Sequence, residues 1–348
     1  NGADVLQRVA VMCTDGITRT VNVDKSLNYP AGWMVRIDVT PEGENVTAIE
    51  NRTISGTVSA DATMLGDHKL ADDVQILDTT TEGVAGTVRP SRLSGTKLNM
   101  LNVRYYTLND NGEIDRLILN DVTGDLWKYG VLDDIRNIAA NLPSTKTPAT
   151  AGDSEGEGSD GTTQVLKDLR SVLVPTTSEI LWGVINGDIL QTVWNKVTSS
   201  TGSLVSIGVK QLAKVVGEPY GTILNYVGGG ATYVCYVNGQ LTSYTTSIKY
   251  PVLAGGLAVR QEVNGSVKAM IQLMPMKIDK VGAASVLSGS TRYEVADNAQ
   301  VYLWYKGQYY ATKLAEVNSD DYYLTGWYDN FGCAAGKRVR VIVAVKKD

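Results

Sequence analysis

The sequence predicts a mainly β protein with an α insertion: two tandem antiparallel β-barrel or sandwich-like repeats, the second interrupted by a helical subdomain. Three observations support this fold class. Landmark residues recur in the same order after roughly 220 positions, as in a duplicated chain. Short alternating stretches are separated by turn residues. A central region changes to helical spacing of its apolar residues.

The repeat is defined by turns and strand positions. Its first copy contains Asp15-Gly16, Tyr29-Pro30, Val35-Arg36, Leu70-Ala71-Asp72, Asp110-Asn111-Gly112 and Arg116. Its second copy contains Asn238-Gly239, Tyr250-Pro251, Val259-Arg260, Val295-Ala296-Asp297, Asp329-Asn330 and Arg340. Because turns and apolar positions recur while reactive side chains do not, the repeat indicates a duplicated scaffold.

The repeat sets the expected domain boundaries. We expect one β-unit at residues 1–121, without its first strand, and a second at 122–135 plus 231–348. Residues 125–134 fit a strand that opens the second copy and pairs with Thr232–Val237. No segment before Val5 matches that strand, so we expect the natural sequence to extend upstream of Asn1.

Hairpins are predicted in both copies. Asp15-Gly16 lies between alternating runs, which is typical of a type I′ turn. Asn238-Gly239 and Asn264-Gly265 predict the corresponding hairpins of the second copy. Further strands are expected at the positions that follow: 33–39, 46–49, 53–58, 74–77, 98–106, 114–119, 292–295, 301–305, 308–312, 322–328 and 338–344.

The insertion is expected at residues 136–230. It starts with an acidic Gly/Ser-rich loop, Gly152 to Gly161, which has the composition of a linker. Residues 164–227 then show helical spacing, with Ile180, Leu181, Val184 and Ile185 on one face and the cap residues Thr177-Ser178 before them.

Composition excludes several classes of function. The formal net charge is −5, without a basic block, so we expect no nucleic-acid partner. No apolar run reaches 18 residues, so we expect no membrane span. The three cysteines, Cys13, Cys235 and Cys333, form no CxxC pair, and we expect them to be small buried residues without a metal or cofactor.

Several segments resemble a known family. Residues 69–76 (KLADDVQI) and 293–302 (YEVADNAQVY) resemble the Y-x-[LV]-A-D-x-[AV]-Q-V-Y segment of cell-surface proteins from Gram-positive gut anaerobes. Residues 127–131 (WKYGV), 236–239 (YVNG) and 338–344 (RVRVIVA) add to the likeness. Those proteins often carry S-layer homology modules, and this chain resembles their duplicated β-rich C-terminal region. The resemblance implies secretion to the cell surface.

No arrangement of residues predicts catalysis, and we expect a protein that is not an enzyme. His68 is the only histidine, and it precedes a strand in a turn. The adjacent acids Asp72-Asp73 point to opposite faces of a strand, which does not suit an acid–base pair. Asp72 and its counterpart Asp297 fit turn residues that accept backbone N–H bonds better than calcium ligands.

Aromatic residues give the one candidate binding surface. Its predicted members are Trp304, Tyr305, Tyr309, Tyr310, Trp327 and Tyr328. Exposed Tyr and Trp on a sheet suit stacking on sugars or docking of a protein, although cross-strand pairs that stabilise a thin sheet are the alternative. The sequence therefore predicts a non-catalytic structural or adhesion module of the cell surface. A carbohydrate- or peptide-binding module is the alternative, with a cell-wall polymer, glycan or surface protein as partner.

Overall fold

The computed structural model describes residues 6–24, 29–41, 43–137, 179–190, 230–252 and 254–348. Within these ranges 3% of the chain is helical, as short 3-10 turns at Pro90–Leu93 and Leu314–Glu316. The strands up to residue 190 are β1 Leu6–Cys13, β2 Thr18–Asp24, β3 Met34–Thr40, β4 Gly43–Ala48, β5 Gly56–Thr57, β6 Met64–Leu65, β7 His68–Thr79, β8 Ala85–Thr87, β9 Lys97–Leu98, β10 Val103–Leu108, β11 Ile114–Asn120, β12 Lys128–Asn137 and β13 Glu179–Leu190. The later strands are β14 Ala231–Val237, β15 Gln240–Thr246, β16 Gly255–Gln261, β17 Val267–Gln272, β18 Met274–Ile278, β19 Lys280–Val281, β20 Ser285–Ser288, β21 Thr291–Tyr305, β22 Gln308–Thr312, β23 Tyr322–Tyr328 and β24 Val339–Lys346.

The predicted helical subdomain is wrong. The described residues contain no α-helix, and Glu179–Leu190, expected to be helical, is strand β13. A run rich in Ile, Leu and Val satisfies helical spacing and also fits a strand that is buried on both faces. The remainder of the predicted helical region, including the cap residues Thr177-Ser178, and the loop from Gly152 to Gly161 lie outside the described residues.

Four curled sheets, together with the two-stranded sheet β5-β9, form two similar units. Unit 1 contains the sheet β2-β1-β13-β3-β4 and the sheet β10-β11-β7-β6, with β8 beside β7. Unit 2 contains the sheet β15-β14-β12-β16-β17 and the sheet β18-β23-β24-β21-β20-β19, with β22 beside β21. The expectation of purely antiparallel sheets is corrected, because β7 pairs in parallel with β11 and β21 with β24.

The parallel pairs show the repeat at the level of register. In unit 1, Leu70 lies opposite Ile114 and Leu77 opposite Ile118. In unit 2, residues 225 positions later form the same pairs, Val295 with Val339 and Tyr302 with Val343 (295 minus 70 and 339 minus 114 both give 225). The pairing is interrupted at the same place in both units. The duplication therefore includes backbone irregularities as well as turns.

The central strands β12 and β13 occupy equivalent places. As the sequence predicts, β12 pairs with β14, and it also pairs with β16. In unit 1, where a missing strand was expected, β13 lies between β1 and β3. Gly130 in β12 and Gly183 in β13 match, because a Cβ on either would lie within 2.6 Å of a carbonyl oxygen of the neighbouring strand, that of Tyr236 or Met12.

The cores follow the curled sheets. Each sheet encloses its own apolar cluster, and a smaller cluster joins the two sheets of a unit. In unit 1 the joining cluster includes Val184 of β13 with Leu77 and Ile118. In unit 2 it includes Val131 of β12 with Tyr302 and Val343. Burial of these β-branched and aromatic side chains between sheets fixes the register of each central strand.

Turn chemistry differs between the Asn238-Gly239 and Asp15-Gly16 hairpins. Asn238 and Gly239 both have positive φ, 50° and 76°, as a type I′ turn requires. At Asp15-Gly16 only the glycine has a positive φ, so the predicted type I′ turn is wrong there. The Asp15 carboxylate instead accepts the backbone N–H of Ile17 at 2.9 Å and stabilises a longer turn.

Candidate functional site

A row of apolar side chains crosses unit 2 from one sheet to the other. We name as the aromatic row the residues Leu241, Tyr236, Tyr309, Trp304, Val345 and Tyr323. Leu241 lies opposite Tyr236 in the β14–β15 hairpin. The rings of Tyr236 and Tyr309 lie 5.3 Å apart and bridge the two sheets.

The row continues across three further strands. Trp304 of β21 lies opposite Tyr309 of β22 and opposite Val345 of β24, and Val345 lies opposite Tyr323 of β23. Residues directly opposite each other in a sheet point to the same face. The row is therefore a continuous strip running perpendicular to the strands.

Exposure is highest towards the ends of the row. Leu241 is 58% exposed and Tyr323 65%, with Trp304 at 40% and Val345 at 37%. Tyr236 and Tyr309 are half-buried where the two sheets meet. An exposed apolar strip of this kind provides aromatic faces for contact with another molecule.

The six predicted binding residues are distributed over different environments. Trp304 and Tyr309 belong to the aromatic row, whereas Tyr305 and Tyr310, the next residues along the same strands, are exposed on the opposite face, with the Lys306 amine 5.0 Å from the Tyr305 ring. Two others have structural contacts. Trp327 packs on the backbone of Gly255 and Gly256, and Tyr328 lies 5.2 Å from Tyr293.

A second cluster of functional groups lies where the two units meet. We name as the junction clamp the residues Arg92, Asp125, Arg340 and Asp329. Arg92 of unit 1 holds Asp125 with two nitrogens, at 2.9 and 3.1 Å. Arg340 of unit 2 reaches the same carboxylate at 2.5 Å and Asp329 at 2.5 Å. Asp125 belongs to residues 121–127, the segment that connects the units. An arginine from each unit therefore forms an ion pair with this connecting segment.

Backbone carbonyls complete the clamp. Both guanidinium groups donate to the Thr123 carbonyl oxygen, from Arg92 at 2.9 Å and from Arg340 at 2.8 Å. Arg92 also donates to the carbonyl of Ala335 at 2.8 Å. Arg340 is fully buried, and its guanidinium lies 4.7 Å from the Tyr129 ring. A buried arginine with this many partners is compensated for its loss of water.

Electrostatics within the clamp favours the charged forms. Burial acts to raise the pKa of Asp125, but the hydrogen bond from Arg92 and the charge of Arg340 lower it below its ordinary value. Burial acts to lower the pKa of Arg340, but Tyr129, Asp329 and Asp125 raise it. Asp125 and Arg340 therefore remain ionised over a wide pH range.

Asp78 binds the connecting segment from the unit 1 side. Its carboxylate accepts the backbone N–H groups of Val122 and Thr123, each at 2.9 Å, and the Thr123 hydroxyl at 2.6 Å. The side chain is buried, and burial raises its pKa to about 6 against the lowering effect of these hydrogen bonds. The connecting segment is thus bound by the carboxyl group of Asp78, whose pKa is about 6, as well as by the junction clamp.

The remaining candidate residues are separated from one another. His68 begins β7 opposite Leu65. Asp72 and Asp297 are exposed where the parallel pairing is interrupted. Arg36 binds Asp38 on its own strand at 2.8 Å, whereas Arg260 reaches from unit 2 to Glu82 of unit 1 at 2.6 Å. These residues do not form a shared site in the described chain.

In the described part of the chain the three cysteines form no disulfide. Cys13 and Cys235 are buried, and Cys333 is partly buried. Burial raises the pKa of Cys235 to about 12. In the described ranges, no group of three or more His, Cys, Asp or Glu side chains is placed to hold a metal ion. Those ranges also contain no helix able to cross a bilayer.

Comparison with protein-family models, curated proteins and solved structures finds no match for this chain.

Sequence reasoning missed both the junction clamp and four of the six residues of the aromatic row. Arg116 and Arg340 are matched in the sequence repeat, but the strand register matches Arg116 with Val341 (341 minus 116 gives 225), and only the fold shows that Arg340 meets Asp125, 215 positions away. Tyr323 lies in a visible cluster of tyrosines, yet its alignment with Trp304 depends on the registers of β21, β24 and β23. Strand order and register, which are non-local, determine both sites.

Proposed function

We propose that this chain is a non-catalytic structural module of a bacterial cell surface, in which two duplicated β-units are held in one fixed arrangement. The observation that carries this proposal is the junction clamp. Arg92 and Arg340 come from different units and converge on Asp125 between them. Charged groups that are buried and fully hydrogen-bonded favour one arrangement over alternatives that leave them unpaired.

Further contacts support a fixed arrangement. Arg260 and Glu82 form a second ion pair between units, at 2.6 Å. Ala335 of unit 2 donates its N–H to Val122 at 2.9 Å and packs in an apolar cluster of unit 1. Surface placement is supported by the resemblance of segments 69–76 and 293–302 to cell-surface proteins.

Two experiments test this proposal. Antibodies raised against the chain are expected to label intact cells of the source bacterium as strongly as permeabilised cells; labelling only after permeabilisation would overturn the surface assignment. Small-angle scattering is expected to give one set of dimensions for the wild type and a broader distribution for Asp125→Ala. An equally broad distribution for both proteins would overturn the fixed scaffold. Asp320→Ala, on the surface of unit 2, is the matched control.

A second candidate function is binding of a glycan or peptide through the aromatic row. The observation that favours it is the alignment of Trp304 and Tyr323 on one face, two strands apart, which corresponds to about 10 Å at the usual strand spacing. Two aromatic faces at this spacing suit stacking on separate rings of one extended chain.

Tryptophan fluorescence can test the binding candidate. Titration with cell-wall glycan fragments is expected to change the emission of the wild type and of Trp33→Ala, a control that removes an exposed tryptophan of unit 1. Trp304→Ala and Tyr323→Ala are expected to need at least about tenfold more glycan for the same fractional change in emission, consistent with loss of one stacking contact. Equal responses from all four proteins would exclude the aromatic row as the binding surface.

A further inference from the structure

The strand β13 belongs to unit 1 by hydrogen bonding and to unit 2 by chain connection. It lies between β1 and β3, the two strands of unit 1 with which it pairs. Along the chain, however, β13 lies between β12 and β14, which pair with each other in unit 2. Unit 1 is therefore completed by a strand that unit 2 carries.

The place between β1 and β3 is specific for this strand. Gly183 is required there, because a Cβ would lie 2.6 Å from both the Met12 carbonyl oxygen and a Val11 methyl group. Val184 is buried in the cluster that joins the two sheets of unit 1. The guanidinium of Arg116 lies over Trp182, 4.4 Å from the centroid of the indole ring. The backbone carbonyl of Trp182 accepts the N–H of Thr14 at 2.9 Å.

Unit 2 contains the same recognition pattern. Its central strand carries Tyr129, Gly130 and Val131 in the places of Trp182, Gly183 and Val184. Arg340 lies 4.7 Å from the Tyr129 ring, as Arg116 lies over Trp182. An aromatic residue followed by glycine and valine is therefore the sequence that this type of sheet accepts. Main-chain hydrogen bonds provide affinity in such strand addition, and pockets for alternate side chains provide selectivity.

Because long stretches of chain flank β13, the β13 strand that completes unit 1 can come from the same chain or from another copy. Residues 138–178 separate it from β12, and residues 191–230 separate it from β14. Either stretch can span on the order of 100 Å when extended. Since β13 makes the same contacts in its own unit 1 as in that of another copy, the two placements differ mainly in effective concentration.

We propose that the space between β1 and β3 is a strand-acceptor site that takes β13 from a second copy of this chain, linking copies from unit 2 to unit 1. Such a head-to-tail link leaves one acceptor site and one donor strand for further copies, so it extends into linear assemblies. This inference goes beyond the scaffold role and does not depend on its location at the cell surface.

Cysteine pairing between two different variants tests the proposal directly. Met12 of β1 lies opposite Val184 of β13. A chain with Met12→Cys and a chain with Val184→Cys are unfolded together, refolded at roughly millimolar concentration, where tethered and free strands compete, and oxidised. A disulfide between the two variants requires β13 of one copy to lie beside β1 of the other.

The expected result is a mixed dimer several-fold more abundant than in three controls. The controls are each variant alone and Val184→Cys mixed with Thr20→Cys, whose residue lies on β2, away from β13. The double variant Met12→Cys/Val184→Cys in one chain reports whether the pair can form a disulfide. A cross-linked monomer from the double variant together with a mixed dimer at control level would overturn the proposal. Absence of both products would overturn it as well, because β13 would then not lie beside β1.

Discussion

Units 1 and 2 use the same register for their parallel strands but place different side chains on it. Asp78 of unit 1 lies opposite Leu119, and Leu303 of unit 2 lies opposite Ala344 at the corresponding place. Leu303 packs against an apolar core, whereas Asp78 binds the segment that connects the units. The duplicated positions thus define the backbone, and the positions that differ define how the two units are joined.

The central strands β12 and β13 also occupy equivalent places but are connected differently along the chain. In unit 2, β12 follows directly from the connecting segment that begins at Asp121, whereas unit 1 receives β13 from a later part of the chain. Both strands present an aromatic residue, a glycine and a valine to equivalent neighbours. Four predictions test how far this equivalence extends, beginning with the change of largest expected effect.

Arg340→Met is expected to destabilise the chain by about 3–5 kcal/mol, because Asp329 would remain buried without its charged partner. Urea denaturation measures this loss. The matched control is Arg116→Met, which removes the arginine that covers the aromatic residue in unit 1. Arg116 is partly exposed, and about 1 kcal/mol is expected there. Equal losses in the two variants would show that the clamp contributes nothing beyond the aromatic contact.

Asp78 is expected to make stability depend on pH. Its pKa is about 6 in the folded state and near the ordinary value of 3.8 when unfolded. Its contribution is therefore fully present below pH 3.8 and is lost as the pH rises through 6. Between pH 7 and pH 4 the wild type should gain about 2 kcal/mol relative to Asp78→Asn, because the unfolded carboxyl is still partly protonated at pH 4. Asp78→Leu, which introduces the residue of unit 2, should show the same pH-dependent difference; a flat difference for both variants would contradict this account.

Gly183→Ala and Gly130→Ala are expected to cost about 1–3 kcal/mol each, since the added methyl group meets a backbone carbonyl. Hydrogen exchange should locate the two effects in different places. Gly183→Ala should increase exchange in β1 and β3, and Gly130→Ala in β14 and β16. Faster exchange in the same strands for both variants would argue against equivalent but separate central strands.

Tyr323→Ala is expected to change stability by less than about 0.5 kcal/mol, because the ring is largely exposed. The matched control is Tyr302→Ala, which removes a buried tyrosine of the same sheet and should cost about 3–5 kcal/mol. Thermal unfolding distinguishes the two. A large loss for Tyr323→Ala would indicate that the aromatic row serves folding rather than contact with another molecule.

Local chemistry allowed much of the fold to be predicted from the sequence. The Asn238-Gly239 turn, the flanking strands β14 and β15, and the pairing of β12 with β14 all follow from alternation and turn residues. The β-rich, barrel-like character is likewise confirmed, whereas the helical insertion is wrong. In Glu179–Leu190 the apolar residues are nearly continuous, so their spacing does not distinguish a helix from a strand. The segment is extended because it pairs with β1 and β3.

The sites were less predictable than the strands. Aromatic residues are visible in the sequence, so Trp304 and Tyr309 could be proposed as candidates, but Trp327 packs on Gly255 and Gly256 of the other sheet and Tyr328 against Tyr293. The partners of Arg340 lie 11 and 215 positions away along the chain. Charge pairs at such separations depend on how two units meet, and no periodicity or turn signal encodes that contact.

The parallel pairing of β24 has a mechanical consequence. A pull on the carboxyl end of β24 is directed along the strand, which has neighbours on both sides, β21 in parallel and β23 antiparallel. Under this shear the hydrogen bonds to both neighbours bear the load together instead of opening one after another. Extraction of β24 would also have to remove Arg340 from its carboxylates. We therefore expect unit 2 to resist tension applied at this strand more strongly than tension that peels the edge strand β22 from β21.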